Sequence, residues 1–412
     1  MKDRVILHCD LNSFYASVEL LSYPELRNRP VAVCGDPAAR HGVVLAKNEP
    51  AKGQGVRTGE TVWQARRKCP DLVLLPAHHD KYRYYSGLAA AVYDRYTDLV
   101  EPFGIDESWL DVTGTLHLFG GDAGALADRL RAEMKAQLGL TISVGVSFNK
   151  VFAKLGSDYK KPDATTVITR ENYREVVWPL PVTDLLYVGR ASGELLTAHG
   201  IRTIGQLAAA DREALVKLLG KNGGQLRDYA AGEDRSPVRP AGEQQPPKSV
   251  GNGLTFRRDL VGEAEIRAGV RLLAEQVAFR LRKHGMKATE VRIAVRSPSL
   301  KTVSRQKRTA APTNLHRELT ENAMELLAGF WSWDAPVRAL TVTAAGLLPE
   351  GEAGEQLDLF LPRSPERREK QERLERTMDA LRTRYGRGMV GYAARTAGAG
   401  EPKREKEKEE PV

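Results

Sequence analysis

Over the first 165 residues, short apolar runs alternate with longer stretches whose apolar positions recur at helical spacing. The runs at 29–34, 42–45, 72–75 and 142–146 read as strands, and 16–21, 81–97 and 123–138 as helices, an α plus β pattern. From 170 to 232 the texture changes to short helices separated by Gly189, Gly193, Gly200, Gly205, Gly220, Gly223 and Gly224. Residues 233–248 carry Pro237, Pro240, Pro246 and Pro247 among Glu and Gln, the composition of an exposed linker. Beyond it, 263–284 is amphipathic. Residues 290–296 then alternate, with Val291, Ile293 and Val295 on one face and Arg292 and Arg296 on the other. A helix at 315–329 and a strand at 337–344 follow. The charged stretch 365–385 sets Leu374, Met378, Leu381 and Tyr385 on one narrow helical stripe. The run from Lys403 to Glu410 has the composition of a disordered tail. No internal repeat is visible.

Acids interrupt this pattern at two strand ends. In Gly104-Ile105-Asp106-Glu107-Ser108-Trp109-Leu110-Asp111-Val112 the apolar residues ask for a sheet, so a carboxylate there must be solvated, paired or metal-bound. The opening run Val5-Ile6-Leu7-His8-Cys9-Asp10 delivers a third acid just before a helix. Hard dications such as Mg²⁺ take one or two carboxylates each and complete their shell with water and phosphate oxygens, so three acids suffice for two ions. A hairpin turn at Asp106 and Glu107, with Asp10 capping the first helix, is the structural alternative.

Composition narrows the partner. The chain has 412 residues, a net charge of +9 and a pI near 9.3, enough length for two to four domains. Between 249 and 348 lie 16 basic and 9 acidic residues, so most of the excess sits in one segment and points to a polyanion-binding module. Cys9, Cys34 and Cys69 form no CxxC pair, which suits a reducing compartment without disulfide or zinc. Nowhere do eighteen apolar residues run uninterrupted, so a cytoplasmic protein that does not enter the membrane is expected.

Three stretches occur in order: Asp10-Leu11-Asn12-Ser13-Phe14-Tyr15-Ala16-Ser17-Val18-Glu19, Ile105-Asp106-Glu107-Ser108-Trp109-Leu110-Asp111-Val112-Thr113, and Ser143-Val144-Gly145-Val146-Ser147-Phe148-Asn149-Lys150-Val151-Phe152-Ala153-Lys154. Together they resemble the palm motifs of the Y-family translesion DNA polymerases, most closely the bacterial DNA polymerase IV type. The likeness continues through Asp158-Tyr159-Lys160-Lys161-Pro162-Asp163 and covers roughly residues 3–350.

That resemblance implies an α+β right-hand polymerase. The palm would span 1–20 and 78–165, the fingers 21–77, a helical thumb 166–232 and a linker 233–248. A little finger at 249–348 and a tail at 349–412 would complete it. It implies template-directed, error-prone translesion synthesis by a monomer on primer-template DNA and dNTPs. Asp10, Asp106, Glu107 and the Leu11 carbonyl would hold two Mg²⁺ ions. Tyr15 would be the steric gate against ribonucleotides, with Phe14 supporting the nucleotide, and Lys161 would reach the triphosphate, Lys160 being its competitor. One departure stands out in the fingers. Where the family commonly has Tyr and Arg three residues apart on the phosphates, this chain has Glu49 and Lys52, so only Lys52, with Lys47 nearby, remains as a cation for that role.

The resemblance further implies helix-hairpin-helix turns at Gly189-Arg190-Ala191 and Gly220-Lys221-Asn222-Gly223-Gly224, whose backbone N–H groups would meet DNA phosphates. In the basic domain Arg292, Arg296, Arg305, Lys307 and Arg308 would follow the DNA backbone. Gln356-Leu357-Asp358-Leu359-Phe360 resembles the peptide that binds the sliding clamp (beta subunit), through Gln356, Leu357, Leu359 and Phe360. Two rivals are weighed beside this reading. A catalytically silent scaffold bound to DNA and clamp should have lost its carboxylates, and a palm-containing nucleotidyl cyclase has no use for the thumb, basic domain or clamp peptide.

Overall fold

The run Ile6–Leu11 forms strand β1 and is buried at every position. It lies at the centre of a five-stranded sheet, and the chain around it explains why. Strand β1 leads into helix α1 (Phe14–Leu20), then into a three-stranded insertion made of β2 (Val31–Cys34), β3 (Val44–Lys47) and β4 (Val73–Pro76). Helices α2 (Glu49–Gly53) and α3 (Val62–Lys68) sit within that insertion. The chain returns through α4 (His79–Tyr93), the hairpin β5 (Val100–Pro102) and β6 (Glu107–Asp111), α5 (Ala123–Leu138), β7 (Ile142–Ser147), α6 (Lys150–Tyr159) and β8 (Thr165–Ile168). The strand order is β5-β6-β1-β7-β8, antiparallel except for the β7–β8 pair. These coordinates are a computed structural model describing residues 3–35, 42–243, 246–353, 365–386 and 389–391. Residues 356–360 and 403–410 lie outside the described residues.

Strand alternation sorts the two faces. Leu7, Cys9 and Leu11 join Leu110, Ile142 and Val144 in a core covered by α1, α4 and α5 through Val18, Tyr82, Val92, Leu126, Leu130 and Met134. On the other face Ile6 packs with Trp109 and Ala153, and His8 reaches Ser157 of α6. Helix α6 can lie this close because β7 offers no side chain at Gly145. A Cβ there would stand 1.9 Å from the Ala153 carbonyl oxygen and 2.4 Å from the Ser157 nitrogen.

Phe148, Val151, Phe152 and Leu155 continue the apolar surface into a helical unit, where they pack with Val177, Leu196, Leu207 and Leu226. Its helices are α7 (Tyr173–Val176), α8 (Arg190–Ala198), α9 (Ile204–Ala209), α10 (Arg212–Leu219) and α11 (Lys221–Ala230). The stretch expected to be an exposed linker is fastened over its first part. Val238 is buried, Arg239 bonds Glu101 at 2.9 Å, Arg4 donates to the Ser236 carbonyl at 2.7 Å and Ala241 to that of Asp98 at 2.8 Å. The prolines describe a chain without regular structure. They do not describe where Val238 and Arg239 find partners.

The chain divides into two compact units, 1–244 and 245–412. The second is a four-stranded antiparallel sheet with order β11-β10-β12-β9. It contains β9 (Ser249–Leu260), α12 (Glu263–Lys283), β10 (Met286–Arg296), β11 (Thr302–Thr313), α13 (His316–Ala328) and β12 (Val337–Pro349). Val291, Ile293 and Val295 point at α12 and α13, as their alternation predicts, and pack with Val270, Val277, Leu319, Ala323 and Leu340. The final helix α14 (Pro365–Tyr385) docks on this unit by charge rather than by its apolar stripe. Glu375 is buried against Arg282 and His316, Asp379 lies 2.6 Å from Arg282, and Glu372 lies 2.9 Å from Lys287. Of the stripe only Met378 is buried, whereas Leu374, Leu381 and Tyr385 remain exposed.

Filling the Gly145 contact should push α6 off the sheet. Gly145→Ala is expected to destabilise the first unit by about 3 kcal/mol, the upper end of overpacking costs, read as a lowered urea midpoint.

Candidate active site: carboxylates and lysines at the end of two strands

The β1–β6 register sets Asp10 directly opposite Glu107. The hairpin before β6 turns through Gly104, at φ +105°, where a side chain would be strained. The Phe103 nitrogen donates to the Glu107 carbonyl at 2.8 Å, which closes that turn. Asp106 thus sits at a hairpin tip, and its carbonyl accepts from the Leu11 nitrogen at 3.0 Å. Of the two acids only Asp106 lies in the turn, Glu107 being the first residue of β6, and the Asp106 carbonyl and the Glu107 position both adjoin the end of β1. Asp10 does not cap α1. That place belongs to Ser13, held left-handed at φ 50° where the strand switches abruptly into the helix.

Two lysines meet these acids. The Lys154 ammonium on α6 lies 3.2 Å from Asp10 Oδ2, 2.9 Å from Glu107 Oε2 and 3.3 Å from Asp158. Lys161 lies 2.6 Å from the same Asp10 oxygen and 2.7 Å from Asp158 Oδ1. Burial alone would lower the Lys154 ammonium, but Asp10, Asp158 and Glu107 together hold it above its ordinary range. Asp106 forms no ion pair among the described residues, the Lys154 charge acting on it only as a minor influence. Burial, then Asp10, then Glu107, push its carboxyl up from 3.8 to about 6.

Beneath this layer His8 is fully buried, its Nδ1 lying 2.8 Å from Ser157 Oγ. The serine hydroxyl already donates to the Lys154 carbonyl at 2.7 Å, so it accepts from His8 and places the ring proton on Nδ1. The opposite nitrogen then faces Glu107 Oε2 at 3.2 Å, the oxygen that also meets the Lys154 ammonium at 2.9 Å. Burial, with the Lys154 charge second, pushes the imidazole down to about 3, so it is neutral.

The acids open onto a cleft of about 470 Å³, lined by Tyr15, Lys47, Glu49, Lys52 and Lys161 among others. Tyr15 is half-buried and stacks on Tyr82, with ring centroids 3.9 Å apart and planes 10° from parallel. Tyr82 is held in turn, because its hydroxyl donates to the buried Glu19 at 2.6 Å. Phe14 borders the cleft, but its ring belongs to the core, against Tyr15 and Tyr82. Glu49 pairs with Lys52 at 3.4 Å, one turn apart on α2, while Lys47 donates to Thr58 at 3.0 Å.

No three His, Cys, Asp or Glu side chains among the described residues converge to hold an ion as they stand, because Lys154 and Lys161 draw Asp10 and Glu107 onto themselves. The donor chemistry nonetheless fits hard dications. Among the described residues four carboxylates, Asp158 included, face two ammoniums, and burial together with Asp10 and Glu107 raises the Asp106 carboxyl.

The remaining site residues sit elsewhere. Gly189 and Gly220 open α8 and α11, Gly220 at φ 67°, and Arg190 is paired with Glu194 at 2.8 Å. In the second unit the five basic residues do not share one face. Opposite residues of a β ladder lie on the same side, and the register pairs Arg292 with Gln306 and Glu290 with Arg308, but Ile293 with Arg305 and Val291 with Lys307. Arg292, Arg296 and Arg308 thus occupy the open face beside the small residues Thr341, Thr343, Gly251 and Gly253. Arg305 and Lys307 turn to the helix side, where Arg305 stacks over Phe330 and Lys307 meets Glu325 at 2.6 Å. A bulge between Ala288 and Glu290 sets that register, and the sequence pattern does not reveal it.

Acids at the ends of two antiparallel strands, above a cleft of nucleotide size with lysines at its rim, define a phosphoryl-transfer site of the palm type. Residues 9–158 match the impB/mucB/samB family, and 247–359 match the C-terminal domain of that family. DNA polymerase IV of Acetivibrio thermocellus is 48% identical over 93% of this chain and 95% of its own length. That of Moorella thermoacetica is 39% identical over 97% and 98%. DNA polymerase IV 1 of Bacillus subtilis is 37% identical over 95% and 93%. Among solved structures a Y-family DNA polymerase chimera superposes with TM-score 0.74 at 22% identity, covering 84% of this chain and 99% of its own, a likeness of fold. The chain belongs to the Y family of DNA polymerases, in its DNA polymerase IV branch, a family of DNA-directed enzymes of translesion synthesis.

The raised Asp106 carboxyl binds its proton more tightly folded than unfolded, so the stability it lends is full below about pH 3.8 and lost as pH rises through about 6. Asp106→Asn is therefore expected to be more stable than the wild type by about 1–3 kcal/mol near pH 7.5 in divalent-free buffer. Denaturant titrations should find that difference vanishing toward about pH 4.

Proposed function

We propose that this chain adds deoxynucleoside monophosphates to a primer 3′-hydroxyl opposite a template, damaged templates included, releasing pyrophosphate. The observation that carries this is the convergence of Asp10, Asp106 and Glu107 on a cleft whose wall is Tyr15 and whose rim is Lys161. All three carboxylates are in place, which the scaffold alternative does not need.

Asp10, Asp106, Glu107 and the Leu11 carbonyl would hold two Mg²⁺ ions. When bound, such ions acidify the primer hydroxyl and neutralise charge on the triphosphate and departing pyrophosphate. Lys161, on Asp10 at 2.6 Å, is the cation best placed to turn to the incoming triphosphate, and Asp158 steadies it from the other side. Lys154 stays with Asp10 and Glu107 and keeps their like charges together. His8 adds no charge and limits the room behind Glu107. Tyr15 excludes a 2′-hydroxyl by position, and its stack on Tyr82 prevents retreat, so selection acts through a clash that the ring cannot relieve. With Lys52 offset by Glu49, the fingers grip the triphosphate weakly and pair geometry is loosely inspected, in keeping with error-prone synthesis.

A monomer would contact DNA by backbone N–H groups at the starts of α8 and α11, near Gly189 and Arg190. Arg292, Arg296 and Arg308 on the open face of the second sheet would meet further phosphates. The small residues beside those arginines allow close approach of a phosphate backbone. The tail residues Gln356, Leu357, Leu359 and Phe360 would bind the sliding clamp and raise the local concentration of enzyme at the primer end.

Primer extension on an undamaged template tests the reading. Asp106→Ala and Glu107→Ala are each expected to lower the rate by at least about a thousandfold while DNA affinity stays within about twofold, since the acids serve the transition state and not the template. Extension by neither the wild type nor the variants, with DNA binding intact, would return the scaffold. Tyr15→Ala should raise ribonucleotide incorporation by about 100-fold or more, with little change for deoxynucleotides, measured as the ratio of kcat/KM values.

A further inference from the structure

Within the three-stranded insertion, α3 displays an aromatic and cationic surface that the polymerase reading does not use. The helix is firmly set. Thr61 and Gln64 form a capping box at its start, while Ala65 and Cys69 are buried beneath it. Its outer side carries Trp63, which is 65% exposed, with the Arg67 guanidinium 4.9 Å from the ring centroid. Arg66 and Lys68 complete the last turn. Lys68 is engaged by Glu60 and by the Gly55 carbonyl, and Arg57 donates its backbone N–H to Glu60, but Arg66 and Arg67 form no ion pair among the described residues.

An indole left in water beside unpaired guanidiniums is costly as a surface and useful as a platform. Each base of an unpaired strand offers a π face to the indole, and its flanking phosphates offer charge to the arginines. An acidic peptide would satisfy the arginines but leave the ring unused. The location favours the strand as well: Thr58 lines the cleft, and α3 begins four residues after it.

We propose that Trp63, with Arg66 and Arg67, binds the single-stranded template ahead of the primer end, one base stacking on the indole while the guanidiniums take the adjoining phosphates. The inference rests on the polymerase reading and names a template contact of the same site. It makes the fingers, whose hold on the triphosphate is weak, an anchor for the template.

Anisotropy with the full chain tests it, using labelled primer-templates of one duplex sequence whose 5′ template overhang is either a single nucleotide or about ten. In the wild type the longer overhang should tighten binding about tenfold, the scale of one stacked base. Trp63→Ala and the double variant Arg66→Ala, Arg67→Ala should lose that gain and bind the short-overhang substrate as the wild type does, while Trp63→Phe keeps most of it. The double variant should also lose about 1.4 units of log–log salt slope on the long overhang, at roughly 0.7 per phosphate contact. Variants that retain the whole gain, or that weaken both substrates alike, overturn the proposal. Single-nucleotide extension of the short-overhang substrate reports on the polymerase reading alone. Its absence in the wild type overturns that reading and this one together, whereas normal extension without an overhang-dependent gain overturns only this one.

Discussion

Asp10 and Glu107 face each other across the β1–β6 ladder, and like charges in that position repel. Asp106 on the adjoining turn adds a third. The palm can be built around these acids only because α6 brings Lys154 between the first two, and α6 reaches that depth only because Gly145 and Gly156 let helix and strand touch backbone to backbone. One glycine on a strand thus decides whether an ammonium arrives at a carboxylate on its neighbour. His8 and Ser157 occupy the layer where they meet and carry no charge into it.

The cleft wall is rigid on one side and compensated on the other. Tyr15 is backed by Tyr82, Tyr82 by Glu19, and Glu19 also accepts from the His78 nitrogen, a chain of contacts running from the cleft into the core. Opposite it, the insertion has a core of mostly small residues, Ala32, Val44, Ala51, Val56 and Ala65, and shows the cleft a lysine already paired with its neighbour. In the proposed polymerase, selection of the sugar would therefore rest on a braced ring, and attraction for the phosphates chiefly on Lys161.

Much of this was legible in the chain, and the exceptions have physical causes. The central strands and the helices facing the core were visible because burial on defined faces imposes a period on the sequence, as at Val291, Ile293 and Val295. Strands β9 and β11 are hard to read in the sequence because they are sheet edges, where exposed residues such as Ser304 and Arg305 break the alternation. Asp10, Asp106 and Glu107 stand out because acids in apolar strands are conspicuous. Lys154 did not, since a lysine on a helix is ordinary until Asp10 is known to lie beneath it; its spacing from Asp158, four residues along the same helix, was the available signal. Helix α14 was seen as an apolar stripe yet docks through Glu372, Glu375 and Asp379, because buried ionic contacts leave no hydrophobic period.

That docking changes what the segment before α14 is. Glu350, just past β12, bonds Arg376 at 2.7 Å, and Arg282 holds Glu375 and Asp379 farther along the helix. Residues 354–364, which contain the proposed clamp peptide, therefore join two points fixed to the same unit. A partner bound to that peptide would have chain attached to the unit on both sides of it. A loop tied at both ends has fewer conformations to surrender on binding than a tail. A ring of protein that took hold of it would be tethered through both attachments at once, so a tug on the peptide would be shared between a strand and a helix.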